Sequence, residues 1–223
     1  MYFRPYPVLS ILTLLGLGVL IWLGQWQWSR MGEKAEQIAA WEAVANAAPI
    51  TLTEAICGTP RPGVPVEPAA GSGSGIRVWG RNEDGHGGWR RFVAVEPPDC
   101  AEGGHVLQEV DFTVFGGDEP TNAGPDFRIM PVPAHGLFDA ANNPEANEFY
   151  RFDAEQMAEV AGVDSLNAEY WVVADRGLPP ELAEVPPSRH LGYALTWFGL
   201  AAVLMAVFLA FHAAHGRLGF TRR

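Results

Sequence analysis

Two long apolar stretches without charge frame this chain, and they dictate where everything else can go. The first runs from Val8 to Leu23 and the second from Leu191 to Phe211. Every acidic side chain lies between them, from Glu33 to Glu184. The segment between the two stretches holds all 26 acids but only 11 of the 15 basic residues, so the middle carries −15. The ends hold Arg4, Arg217, Arg222 and Arg223 with no acid. A helix crossing a bilayer needs about 20 mostly apolar residues at about 1.5 Å rise each. The expected fold class is therefore a membrane protein, with two transmembrane helices flanking one α+β domain built on an antiparallel sheet.

The boundaries follow. Residues 1–7 form a short N-terminus, 8–28 the first span, 29–189 the outer domain, 190–211 the second span and 212–223 the tail. A cleaved signal peptide is the rival reading of the first span. Its apolar run is long for that role, and bulky Trp22, Trp26 and Trp28 follow where a small-residue cleavage site would stand. Those tryptophans close the first span, while Tyr193 and Trp197 open the second, so both aromatic clusters fall at one interface. The uncompensated arginines at the ends place both termini inside, with the middle in the periplasm or an organelle's intermembrane space.

The middle is long enough for one domain with its own core. Met31 to Ala48 reads as a helix continuing outward from the first span. Thr59 to Gly75 is rich in Pro, Gly and Ser and reads as a mobile loop that can form neither helix nor central strand. Strand-like runs follow at Ile76–Trp79, Trp89–Val95, His105–Val110, Phe112–Phe115, Phe127–Val132 and Tyr170–Ala174. Phe152 to Val160 reads as a helix, with Asp153 as N-cap and Gly162 as its stop. In an oxidising compartment a pair such as Cys57 and Cys100 forms a disulfide; two unrelated free thiols are the alternative, and the pair lacks local geometry for copper.

The inner ends of the spans carry the specific motifs. The first reads LGQWQWSRMGEK and contains Trp26, Gln27, Arg30 and Lys34. The second reads RHLGYALTWFGLA and contains His190, Leu191, Tyr193, Ala194 and Trp197. Together they resemble the surfeit locus protein family, with its Trp-Gln-x-x-Arg motif leaving the first helix and His-Leu-x-Tyr-Ala-x-x-Trp entering the second. Arg189 stands where the family usually has Asn, and GGHVLQEVDF, from Gly103 to Phe112, lacks the family's Arg-Gly-Trp. The resemblance implies an assembly factor for heme-a-containing cytochrome c oxidase, a transient carrier of heme a and not an enzyme. It implies a two-pass protein of the bacterial inner membrane with a periplasmic middle domain. Its implied partners are the oxidase's large membrane subunit, heme A synthase and membrane lipid. The alternative is a permanent accessory subunit of a respiratory oxidase or supercomplex, without a heme of its own.

His190, Tyr193, Ala194 and Trp197 follow the i, i+3, i+4, i+7 spacing of one helical face. That face offers an imidazole and two aromatic surfaces. It suits a porphyrin, with His190 on the heme iron, or a plain aromatic belt whose histidine faces headgroups. The resemblance selects the first. Arg30, with Lys34, is a candidate for a heme propionate or a lipid phosphate, against ordinary pairing with Glu33. Gly192, Thr196 and Gly199 form a small-residue face that could pack on Gly16 and Gly24, or on an oxidase helix. His212 and His215 lie too far along the helix to share a heme with His190, and read as headgroup-level residues. His86, His105 and His135 show no metal-ligand spacing. No nucleophile elbow or phosphate loop occurs, and the acidic middle excludes nucleic acid as a partner.

Overall fold

The computed structural model describes residues 2–59, 61–82, 84–96, 100, 104–134, 136 and 139–219. Gly103, His135, Arg222 and Arg223, invoked above, lie outside these. In chain order the elements are β1 (Tyr2–Phe3), α1 (Pro7–Ala45), α2 (Leu52–Cys57), β2 (Pro65–Val66), β3 (Gly71–Arg81), β4 (Gly87–Val95), β5 (Val106–Val114), β6 (Thr121–Asn122) and β7 (Phe127–Pro131). A single 3-10 turn at Pro144–Ala146 precedes α3 (Ala154–Ala161), β8 (Tyr170–Ala174), α4 (Pro180–Ala183), α5 (Pro187–Ala214) and β9 (Leu218–Gly219). The chain divides into two compact units, Met1–Ala40 with Leu178–Arg223, and Trp41–Gly177.

In the first unit, α1 and α5 form a hairpin. Two helical stretches, Pro7–Ala45 and Pro180–Ala214, are long and apolar enough to cross a membrane. Only 17% and 11% of their most apolar windows are buried, the reverse of helices at the centre of a soluble core. Small side chains let the helix backbones approach closely. A Cβ on Gly24 would meet the Phe198 ring at 2.6 Å, and one on Gly16 would meet Leu204 at 3.2 Å. Ala194 and Ala201 are buried on the same side of α5 as Phe198. The small-residue face expected from Gly192, Thr196 and Gly199 is not the packed one. A Cβ on Gly192 or Gly199 would meet nothing within 4 Å, and the Thr196 hydroxyl donates back to Gly192 O at 2.9 Å. The helix rotates that face outward because Phe198 needs the notch at Gly24.

At the far end of this hairpin β1 and β9 pair antiparallel, Tyr2 opposite Gly219 and Phe3 opposite Leu218. His212 lies beneath them and is fully buried within the protein. Its Nδ1 donates to Phe208 O at 2.8 Å, and its Nε2 accepts from Tyr6 N–H at 3.1 Å. Phe3, Tyr6, Phe208 and Phe211 surround the ring. His215, by contrast, is exposed.

The second unit is built on a seven-stranded sheet, in the order β2-β7-β8-β5-β4-β3, with β6 pairing on β5. The strand pairs are antiparallel, as expected, except β5 with β8, which run parallel. Side chains alternate across the sheet, and both faces are covered. Leu107, Ala94 and Trp171 join one core with Phe149 and Met157 of α3. Val106, Val95 and Val172 join the other with Leu52 and Ala55 of α2. Asp153 caps α3 by accepting from Gln156 N–H at 3.1 Å, and Gly162 ends it with φ +72°.

Two expectations need correction. His105–Val110 and Phe112–Phe115 are one strand, β5. Asp111 does not break it, because Arg91 opposite neutralises the carboxylate in an ion pair, and the register shift between Arg91 and Phe92 absorbs the extra residue. Thr59–Gly75 is not all loop: it supplies β2 and the first five residues of β3. Both are edge strands, where Pro and Gly are tolerated.

Cys57, at the end of α2, is disulfide-bonded to Cys100, with Cα atoms 5.7 Å apart. The bridge closes a sequence separation of 43 residues. Reduction is expected to cost this unit about 2–4 kcal/mol. Denaturant unfolding with and without reductant measures it; superimposable curves would show that the bridge contributes no stability.

Candidate functional site

The first unit brings the two terminal motifs together. His190 sits in the first turn of α5 and Gln27 lies on α1. The His190 Nδ1 and Gln27 Oε1 atoms are 2.8 Å apart. A ring nitrogen that faces a carboxamide oxygen donates to it. Among the described residues no hydrogen bond is made to the Nε2 of His190. The ring is half-buried. A polar pair between two largely apolar helices also fixes their register, since either group alone would be left unsatisfied there.

The other expected residues divide. Tyr193 is half exposed and Trp197 is partly buried, so both present ring surface near His190 in the sequence of α5. Ala194, expected to share their face, is fully buried. The four residues therefore do not form one open wall: His190 and Ala194 lie at the edge of the helix seam, and the aromatics flank it. Arg30 Nη1 is paired with Glu33 Oε2 at 2.6 Å on the exposed surface of α1. Lys34 Nζ donates to Glu181 O, tying α1 to α4. The two cations are thus engaged with protein groups and with different partners.

A heme iron in a protein needs a neutral imidazole with a free nitrogen, oriented from its other side. His190, approached by Gln27 at Nδ1, is the residue that could hold such an iron, and Tyr193 and Trp197 would be its flat apolar neighbours. Among the described residues there is no group of three or more His, Cys, Asp or Glu side chains able to hold a metal ion.

Three features escaped the sequence reading. Gln27 is one of two amides, with Gln25, at the end of an apolar run, where an amide needs a partner; the sequence does not say which of them finds one. His212 is buried among Phe208, Phe211 and Phe3. In the second unit, Glu109 of β5 is fully buried and held between Arg90 and Arg176. Arg90 Nη2 lies 2.6 Å from Glu109 Oε2, Arg176 Nη1 donates to the same oxygen at 2.9 Å, and Ala174 N–H adds a bond at 3.0 Å. Burial pushes the Glu109 carboxyl up, but Arg176 and Arg90 overcome it and hold it at about 2. Nearby, Arg128 donates to Ala45 O at 2.9 Å and Gly63 O at 2.8 Å and pairs with Asp175. Burial raises the Asp175 carboxyl, and Arg128 and Gly177 N–H bring it below the usual carboxylate range. These networks link neighbouring strands and loops.

A protein-family model described as the SURF1 family matches residues 14–113 and 117–202. The chain is 26% identical over 224 residues to a SURF1-like protein of Rickettsia conorii (strain ATCC VR-613 / Malish 7). That alignment covers 91% of this chain and 90% of the rickettsial one. The family match takes in both Gln27 and His190.

Proposed function

The chain belongs to the SURF1 family, and from that premise we propose that it is an assembly factor of heme-a-containing cytochrome c oxidase in a bacterial inner membrane. The observation that carries this reading is the meeting of the two terminal motifs in the His190–Gln27 pair. His190 offers Nε2 to the iron, while Tyr193 and Trp197 offer ring surface to the porphyrin. The protein holds heme a at the outer membrane interface and hands it to the oxidase's large membrane subunit, receiving it from heme A synthase. It performs no chemistry on the macrocycle; its residues bind, orient and release.

The test is direct. The native protein, purified in mild detergent from cells making heme a, is expected to show heme absorption, and to leave the oxidase before the final purification step. Absence of any heme, together with retention on the mature oxidase, would replace this reading with that of a permanent accessory subunit.

The proposed topology has both termini in the cytoplasm and residues 29–189 in the periplasm. Ser74 is exposed on β3. A Ser74→Cys variant lacking Cys57 and Cys100 is expected to react with an impermeant maleimide added to intact spheroplasts. Reaction only after lysis would reverse the topology.

A further inference from the structure

We infer that Gln27 is the positioning residue for His190, fixing its ring as the Nδ1–H tautomer with Nε2 presented as a bare acceptor. The inference deepens the heme reading and rests on it for its consequence, but the tautomer itself is a property of the chain alone. The geometry is specific. An imidazole on the first turn of a helix has a rotating side chain and two nearly equivalent neutral tautomers. The 2.8 Å approach of Gln27 Oε1 to Nδ1 removes both freedoms, because a carboxamide oxygen accepts only from a protonated ring nitrogen. The two nitrogens lie on opposite sides of the ring, so an Nδ1 anchored on α1 points Nε2 away from that helix. Outer partners of this kind orient metal-binding histidines and raise their basicity.

Gln27 is itself held in place. Gly24, one turn before it, seats the Phe198 ring of α5, where a Cβ would come within 2.6 Å. On the other side, Lys34 reaches Glu181 O. The helix register around Gln27 is therefore also held by contacts that do not involve His190. The pairing could also have formed with the amide reversed, its NH2 donating to Nδ1 and the proton on Nε2. Such a ring could not ligate through Nε2, so the two arrangements differ in consequence and are separable by measurement.

The experiment has two arms. The first is heme-free: the full-length protein, with nitrogen-15 in its histidines, is examined by NMR, and the His190 signals are identified by their loss in His190→Ala. The expected result is a pyrrole-type Nδ1 and a pyridine-type Nε2. Gln27→Leu should give a mixture of tautomers, and Gln27→Glu, which keeps an acceptor, should restore the single form. A proton on Nε2 in the native protein, or an unchanged spectrum in Gln27→Leu, would overturn the inference. The second arm titrates heme a into the same proteins and reads the Soret band. Gln27→Leu is expected to weaken binding about 10- to 100-fold, with recovery in Gln27→Glu. Equal affinity in all three would overturn the positioning role toward iron. A native protein that takes up no heme, yet shows the Nδ1–H tautomer, would sink the heme reading and leave the tautomer assignment standing.

Discussion

Glu109→Ala is expected to destabilise the Trp41–Gly177 unit by about 3–5 kcal/mol, because it strands two arginines around an empty, buried site. Against a typical domain stability of 5–15 kcal/mol, that is enough to make folding marginal. Glu109 joins three neighbouring strands: its own β5, Arg90 on β4, and Arg176 immediately after β8. The guanidinium of Arg90 also lies 5.1 Å from the centre of the Phe92 ring and 5.2 Å from that of Trp171, so it is packed as well as paired. Replacing all three charges together with apolar residues is expected to cost far less than the single change, since the charges are then no longer desolvated without partners. Urea unfolding of the intact protein, followed by tryptophan fluorescence, measures the difference; equal losses in the single and triple variants would remove the charge argument. The same carboxylate sets a pH dependence. Its folded value of about 2 lies below the ordinary 4.5, so its stabilisation is complete above pH 4.5 and is lost as the pH falls toward 2. The linked amount is on the order of 3 kcal/mol. Glu109→Gln, which has no proton to gain, should show a flatter decline in that window.

His190→Ala is expected to remove co-purifying heme a while leaving the protein inserted and abundant. The helix it opens rests on the apolar length of Pro187–Ala214, and on the contacts of Phe198 and Leu204 with the glycines of α1. None of these uses the imidazole. Oxidase activity in the cell should fall with the heme. His212→Ala is the informative contrast. Both of its ring nitrogens are occupied, by Phe208 O and Tyr6 N–H, so it has no nitrogen to offer iron, and its loss should loosen the chain ends and spare the heme. Absorption spectra of the two variants at matched protein concentration give the comparison. Heme retained in His190→Ala would take iron ligation away from this residue.

The sequence made the large divisions plain because they rest on composition: two apolar stretches, an acidic middle, and period-two runs such as Tyr170–Ala174. Local chemistry was equally legible, as Asp153 and Gly162 bound α3 where their residue types predict. What sequence could not supply was pairing across distance. A helical face read from His190, Tyr193, Ala194 and Trp197 is a set of angles on one helix; whether Ala194 faces lipid or a neighbour depends on where α1 lies. Gly24 and Phe198 decide that, and the decision also turns Gly192 and Gly199 outward. In the same way Asp111 looked like a break in a strand until Arg91 stood opposite it, and Glu109 gave no sign of being buried until two arginines from other elements closed on it. The motifs were readable as lists of residues, but the contact between Gln27 and His190 emerged only when the two helices were brought side by side.

The pairing of β1 with β9 imposes an order of events on the living cell. Tyr2 donates through its hydroxyl to Gly216 O, 214 residues away, and Arg4 N–H donates to Arg217 O at 2.9 Å. At about 5–20 residues per second, a ribosome that has made the first strand needs roughly ten to forty seconds more before the second exists. The first strand must wait, unpaired, through the synthesis of everything between the two. A nascent chain cut short before Leu218 would leave Tyr2–Phe3 without its partner strand. Fluorophores placed beside the two strands would therefore report the instant of their pairing, long before any function could be assayed.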